Sequence, residues 1–112
     1  MGTIDDYLAG LDATDAAVIA HTYDVALEVA PEAVQGFGYG MPALVYRGKS
    51  LLSVMRAKRH FGMYPFSPTA IVAVLPLLDG VDHAKGTIRF TEPLPDDTVR
   101  ALVTARVAEI DG

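Results

Sequence analysis

With 112 residues, 51% of them hydrophobic and 21% charged, the chain has room for one core but not for two independent ones. A formal net charge of −5 repels phosphate backbones and anionic lipid, which argues against nucleic-acid and membrane-surface roles. The absence of cysteine excludes disulfides, thiolate metal sites and a cysteine nucleophile.

The apolar content exceeds what one small core needs, so part of it is expected to face a partner, and a homodimer is the simplest one. The opening Met1-Gly2-Thr3-Ile4-Asp5-Asp6 lacks the basic and apolar regions of a signal peptide. No apolar run approaches the roughly 20 residues that span a bilayer. The expectation is one cytoplasmic domain covering residues 1–112.

In chain order, Thr3 is placed to cap a short first helix, with Asp5 and Asp6 in its first turn and Gly10 closing it. A second helix is expected from Asp12 or Thr14 to Ala30, stopped by Pro31. At about 100° per residue its apolar face centres on Ile19, Tyr23, Ala26 and Ala30, flanked by Val18, Thr22, Val25 and Val29. His21, Asp24, Glu28 and Glu32 form a narrow stripe on the opposite side.

From Gly36 the period becomes two. Phe37 and Tyr39 share one face of an extended segment, while Gly36, Gly38 and Gly40 clear the other. Glycine weakens a strand, so three alternate ones predict a close approach to that backbone by a packed helix or a ligand. Beyond Pro42, Ala43 to Tyr46 reads as a strand, Arg47-Gly48-Lys49 as a tight turn, and Ser50 to Ala57 as the hairpin partner. A further strand from Arg59 to Tyr64 would complete a meander, with Lys58, His60, Gly62 and Tyr64 aligned on one face.

Ser67-Pro68 is a strong helix start, and Pro76 disturbs that helix beyond Val74. Lys85-Gly86 leads into a short strand, Thr87 to Phe90. Pro93-Leu94-Pro95-Asp96 then opens a last helix in which Val99, Leu102, Val103, Val107 and Ile110 keep helical spacing. Helices and strands do not alternate strictly, so the class is α+β: an antiparallel sheet, meander plus one later strand, packed with helices.

Six motifs then stand in order: Thr3-Ile4-Asp5-Asp6-Tyr7, Tyr39-Gly40-Met41-Pro42-Ala43, Gly48-Lys49, Lys58-x-His60-x-Gly62-Met63-Tyr64-Pro65, Lys85-Gly86-Thr87-Ile88-x-Phe90 and Pro93-Leu94-Pro95, with Arg106 closing the last helix. Together they resemble the YdhG-like family, a bacterial family of largely unknown function whose relatives include a frataxin-like intracellular iron chaperone. The resemblance implies a compact α+β fold and a cytoplasmic, non-catalytic protein. It also raises an iron role, which in frataxin-type proteins uses a carboxylate-rich helical surface. Here the second helix carries Ala16, Ala17, Ala20 and Ala26 where such a surface would be charged.

Two candidate sites follow. His21, Asp24 and Glu28, at i, i+3 and i+7, offer imidazole and carboxylates to Fe(II), Mn or Zn. Asp24, Glu28 and Glu32 repel one another at spacings of four, and their helix has no Lys or Arg. Relief must come from solvent, from another element's cation or from a metal. The second candidate is a pocket built from Tyr39, Met41, Lys58, His60, Tyr64 and Lys85, whose ammonium groups, imidazole and phenols suit a small polar or anionic ligand. Its alternative is ordinary packing of the aromatics beneath lysine stems.

No nucleophile elbow, phosphate-binding glycine loop, dinucleotide fingerprint or His-Glu-x-x-His motif is present, and no catalytic residue is assigned. A binding domain is therefore the main expectation. An iron-binding chaperone is the alternative, and a small hydrolase or isomerase centred on His60 the third.

Overall fold

The computed structural model describes residues 2–112. Two helices, α1 (Thr3–Ala9) and α2 (Ala13–Val29), precede four strands, β1 (Val34–Gly38), β2 (Met41–Tyr46), β3 (Lys49–Arg56) and β4 (Phe61–Tyr64). Then come α3 (Pro68–Ala73), a 3₁₀ turn (Leu75–Leu77), β5 (Asp82–His83), β6 (Ile88–Phe90) and α4 (Asp96–Asp111). All strand pairs are antiparallel, in the order β1-β2-β3-β4-β6-β5. The expected α+β meander is therefore the fold. No helix is long and apolar enough to cross a membrane among the described residues.

β3 is the spine of the sheet. Leu51, Leu52, Ser53 and Val54 are all fully buried, so both of its faces are covered. Its first half pairs with β2 and its second half with β4. The pairing with β2 lapses near Pro42, whose carbonyl accepts from Ser53 Oγ (2.7 Å) instead of taking part in a strand ladder. Beyond that point the amides of Val54 and Arg56, two residues apart and so on the same side of the strand, have no strand partner there. Tyrosine hydroxyls take over. Tyr23 of α2 accepts from the Val54 amide and Tyr7 of α1 from the Arg56 amide, each at 2.8 Å. Both helices are thereby hydrogen-bonded to the spine.

α2 buries the face its periodicity predicts, with Ile19, Thr22, Tyr23, Val25 and Ala26 inside and His21, Asp24 and Glu28 exposed. α4 packs against α2 and β3 through Val99, Leu102 and Val103. Its far end is pinned to the start of β3. Arg106 donates two bonds to the Ser50 carbonyl (2.9 and 3.1 Å), and Tyr46 and Arg47 both reach Asp111.

Three local expectations change. Gly2, not Thr3, caps α1, and Thr3 Oγ1 donates to the Gly36 carbonyl of β1 (2.6 Å). The α1 N-terminus is instead satisfied from a distance, because Gln35 Oε1 accepts from the amides of both Ile4 and Asp5. β4 begins at Phe61, since residues 57–60 turn, closed by a bond from the Ala57 amide to the His60 carbonyl. The short β5 supplies an edge strand that its two exposed polar residues did not signal.

Burial pushes the Tyr23 phenol up from 10.0 to about 12, against hydrogen bonds from Val54 and Ser53 that oppose the shift. The folded state thus holds this proton more tightly than the unfolded chain. The associated stability is complete below pH 10.0 and is lost as pH rises towards about 12. Urea titrations should show a loss of roughly 2–3 kcal/mol across that window. Tyr23→Phe should abolish this pH dependence while costing roughly 1–3 kcal/mol at neutral pH, because the Val54 amide is orphaned.

Candidate functional site

The segment Tyr39-Gly40-Met41-Pro42 is a hairpin turn. Tyr39 (φ 49°) and Gly40 (φ 78°) are both left-handed, as a two-residue type I′ loop between β1 and β2 requires. Arg47 (φ 50°) and Gly48 (φ 79°) repeat the device between β2 and β3. Pro42 therefore lies inside β2, which begins at Met41 rather than at the expected Ala43.

The close approach expected at the alternate glycines is real, but it is made by the chain's own side chains. A Cβ on Gly38 would stand 2.6 Å from Phe66 Cζ and 2.7 Å from Ser50 Oγ, and one on Gly36 would meet Val45 Cγ2 at 2.9 Å. Phe66, itself left-handed at φ 59°, reaches back so that its ring also lies 5.5 Å from that of Tyr39. Gly40 faces open space and serves only the turn.

The six pocket residues are divided by the strand register. Phe61 pairs with Phe90 and Met63 with Ile88, so His60 lies at one end of the β4–β6 ladder and Lys85 at the other. Tyr64 folds over Gly62, where an added Cβ would come within 2.8 Å of its hydroxyl oxygen. Tyr39 is 90% exposed beside Phe66, and Met41 pairs with Gly38 at the start of β2. Lys58 and Lys85 are exposed on separate loops. The six do not close on one cavity, because the alternation that aligned Lys58, His60 and Tyr64 requires a strand where residues 57–60 turn.

His60 alone of the six lines a well-formed surface cleft. This cleft, about 440 Å³, is bounded by Gly80, Val81 and Asp82, by Arg89 and Phe90 of β6, and by the run Thr91-Glu92-Pro93-Leu94-Pro95. Phe90 is part of a stack: its ring lies 5.3 Å from Phe61, and the Arg56 guanidinium sits 4.8 Å over Phe61. Pro93 and Pro95 fix their own φ angles and stiffen one wall. Polar groups at the cleft are the His60 imidazole, the Thr91 hydroxyl, the Glu92 carboxylate and the cross-strand pair Arg89–Asp82 (3.3 Å). Arg89, Asp82 and Glu92 carried no signal in isolation, although the Pro93-Leu94-Pro95 run that forms the wall did stand out.

Two carboxylates of the acidic stripe meet cations from other elements, and its histidine meets a carboxylate. His21 Nε2 lies 2.9 Å from Asp96 at the start of α4, Glu28 takes the Arg100 guanidinium at 3.1 Å, and Glu32 approaches Arg47 at 3.7 Å. Hydrogen bonds to Glu28 and then Asp97 raise the pKa of Arg100. Asp24 is exposed and remains apart from them. Among the described residues no group of three or more His, Asp or Glu side chains is placed to hold a metal ion. The apolar excess surfaces at Val34, Phe37 and Tyr39 on the first hairpin, and at Val72, Leu75 and Leu77 around the 3₁₀ turn.

No family model matches the chain, and no curated protein matches it in sequence. The fold is that of a protein of the DUF1801 family, YdhG of Bacillus subtilis, whose crystal structure matches with a TM-score of 0.85 over 97% of this chain and 91% of that one. The two are 16% identical, so the likeness is one of fold.

Gly38→Ala should destabilise the protein by roughly 1–3 kcal/mol in chemical denaturation, since Phe66 and Ser50 must both shift. In a double-mutant cycle, Phe66→Ala should recover part of that loss.

Proposed function

We propose that this chain is a DUF1801-type, YdhG-like domain that binds a small polar or anionic ligand in the cleft beside His60. The fold match over nearly the whole chain supports the family, together with the order of the sequence motifs. The observation that carries the ligand reading is the lining of that cleft. A buried aromatic floor at Phe90 is surrounded by an imidazole, a guanidinium, a hydroxyl and two carboxylates on stiff, short connections.

A ligand carboxylate has His60 and Arg89 to meet it, and Asp82 would then exchange part of its hold on Arg89 with the incoming anion. Lys58 and Arg59, exposed on the same loop as His60, add positive potential at that end of the sheet in an otherwise acidic protein. Glu92 and Thr91 can take a hydroxyl or amine on the same molecule. Nothing in the lining pairs a nucleophile with a base, so binding rather than turnover is the reading. The iron-chaperone alternative rests on the family resemblance alone, since His21 and Glu28 are each engaged by α4.

Titration with citrate, malate and inorganic phosphate, followed by amide chemical-shift mapping, tests this. Saturable shifts confined to His60, residues 80–82 and residues 89–95 are expected for at least one probe. Arg89→Gln should weaken that binding roughly tenfold or more. Absence of saturation for all three, or shifts centred elsewhere, would remove the proposal.

A further inference from the structure

A second cleft, about 340 Å³, opens between α1, α2 and the first hairpin, and its chemistry differs from that at His60. Its most buried lining residues are Ile4, Tyr23, Ala33 and Leu44, and Leu8 and Leu27 are half-buried beside them. The Tyr23 hydroxyl is committed to the Val54 amide, so what this residue offers the cleft is its ring. The charged members of the lining are Asp5 on α1 and Asp24 on α2, and no Lys, Arg or His accompanies them.

The two carboxylates are unlike in support. Asp5 is fixed in place: its Oδ2 accepts from Gln35 Nε2 (3.1 Å) and from the Gly2 amide (3.2 Å), and no cation meets it among the described residues. Asp24 has no ion pair and no side-chain hydrogen bond among the described residues, although His21 and Glu28 on the same helix are both paired. An apolar, partly aromatic hollow edged by two carboxylates, with no counter-charge among the described residues, complements one kind of molecule. That molecule has an apolar body, which displaces water from the floor, and a cationic head that meets the acids at the edge.

We propose that this cleft binds a small organic cation, an aliphatic or aromatic ammonium compound. Its apolar part lies on Tyr23, Leu27 and Leu44, and its ammonium group lies between Asp24 and Asp5. The site is independent of the one at His60, and the failure of either leaves the other standing.

Hexylamine, hexan-1-ol and hexanoate form a probe set with a common chain and different heads. Amide chemical-shift mapping of the full chain should show saturable binding of hexylamine at Ile4, Leu8, Leu27, Ala33 and Leu44. Hexan-1-ol should bind more weakly and hexanoate not measurably. Asp24→Asn is an exposed substitution whose fold is checked by its own spectrum. It should weaken hexylamine roughly three- to fivefold at low salt and leave hexan-1-ol unchanged. Equal binding of amine and alcohol, no change in the variant, shifts outside this cleft, or no saturation by hexylamine would each overturn the proposal.

Discussion

The arrangement turns on an edge in the middle of the sheet. β3 outlasts its pairing with β2, and the amides of Val54 and Arg56 would be unpaired inside the protein if nothing met them. An orphaned buried amide costs on the order of 1–3 kcal/mol, a large share of the stability of a domain this size. Tyr23 and Tyr7 accept those two protons and in doing so fix where α2 and α1 lie on the sheet. The Pro42 carbonyl, released from the ladder, is held by Ser53. One irregularity in strand pairing therefore sets the position of both N-terminal helices.

The two clefts take their shapes from this placement and from its counterpart at the other end of the sheet. With α1 and α2 seated on β3, the space between them and the β1–β2 hairpin is lined by Tyr23 and Leu44 and edged by acids. Beyond β6 the chain cannot continue as a strand through Pro93 and Pro95, so residues 91–95 fold across the ends of β5 and β6 towards His60. The acidic stripe of α2 is drawn into the architecture: α4 presents Asp96 to His21 and Arg100 to Glu28, which tie two helices together over their packed apolar faces. Exposed pairs of this kind contribute little stability individually, so their effect lies mainly in register and orientation.

Much of the fold was legible because it depends on local periodicity. The buried face of α2, the Arg47-Gly48 turn, the Ser67 cap and the core spacing of α4 all follow from neighbours a few residues apart. What stayed hidden depends on distant partners. The glycine face of β1 announced a close approach, but Phe66 lies 28 positions beyond Gly38, and only a left-handed residue lets its ring return. Tyr39-Gly40 lacks the Asn or Asp that marks a type I′ turn, so the sequence places both residues in the extended segment before Pro42 rather than in the loop. The site was legible only at His60. Arg89 and Asp82 reach the same cleft through the β5–β6 pairing, whose two-residue edge strand has no apolar pattern, and Glu92 from the run that follows β6. Lys58 and Tyr64 were aligned with His60 by a period that does not hold through a turn.

The central claim is that two tyrosine hydroxyls stand in for a missing strand along β3. Native-state amide hydrogen exchange at Val54 and Arg56 measures it most directly. Both amides are predicted to exchange as slowly as those of Leu52 and Met63 in the paired ladders, although each donates to a tyrosine hydroxyl rather than to a strand. Exchange of both at the rate of loop amides such as Arg59 would contradict the account.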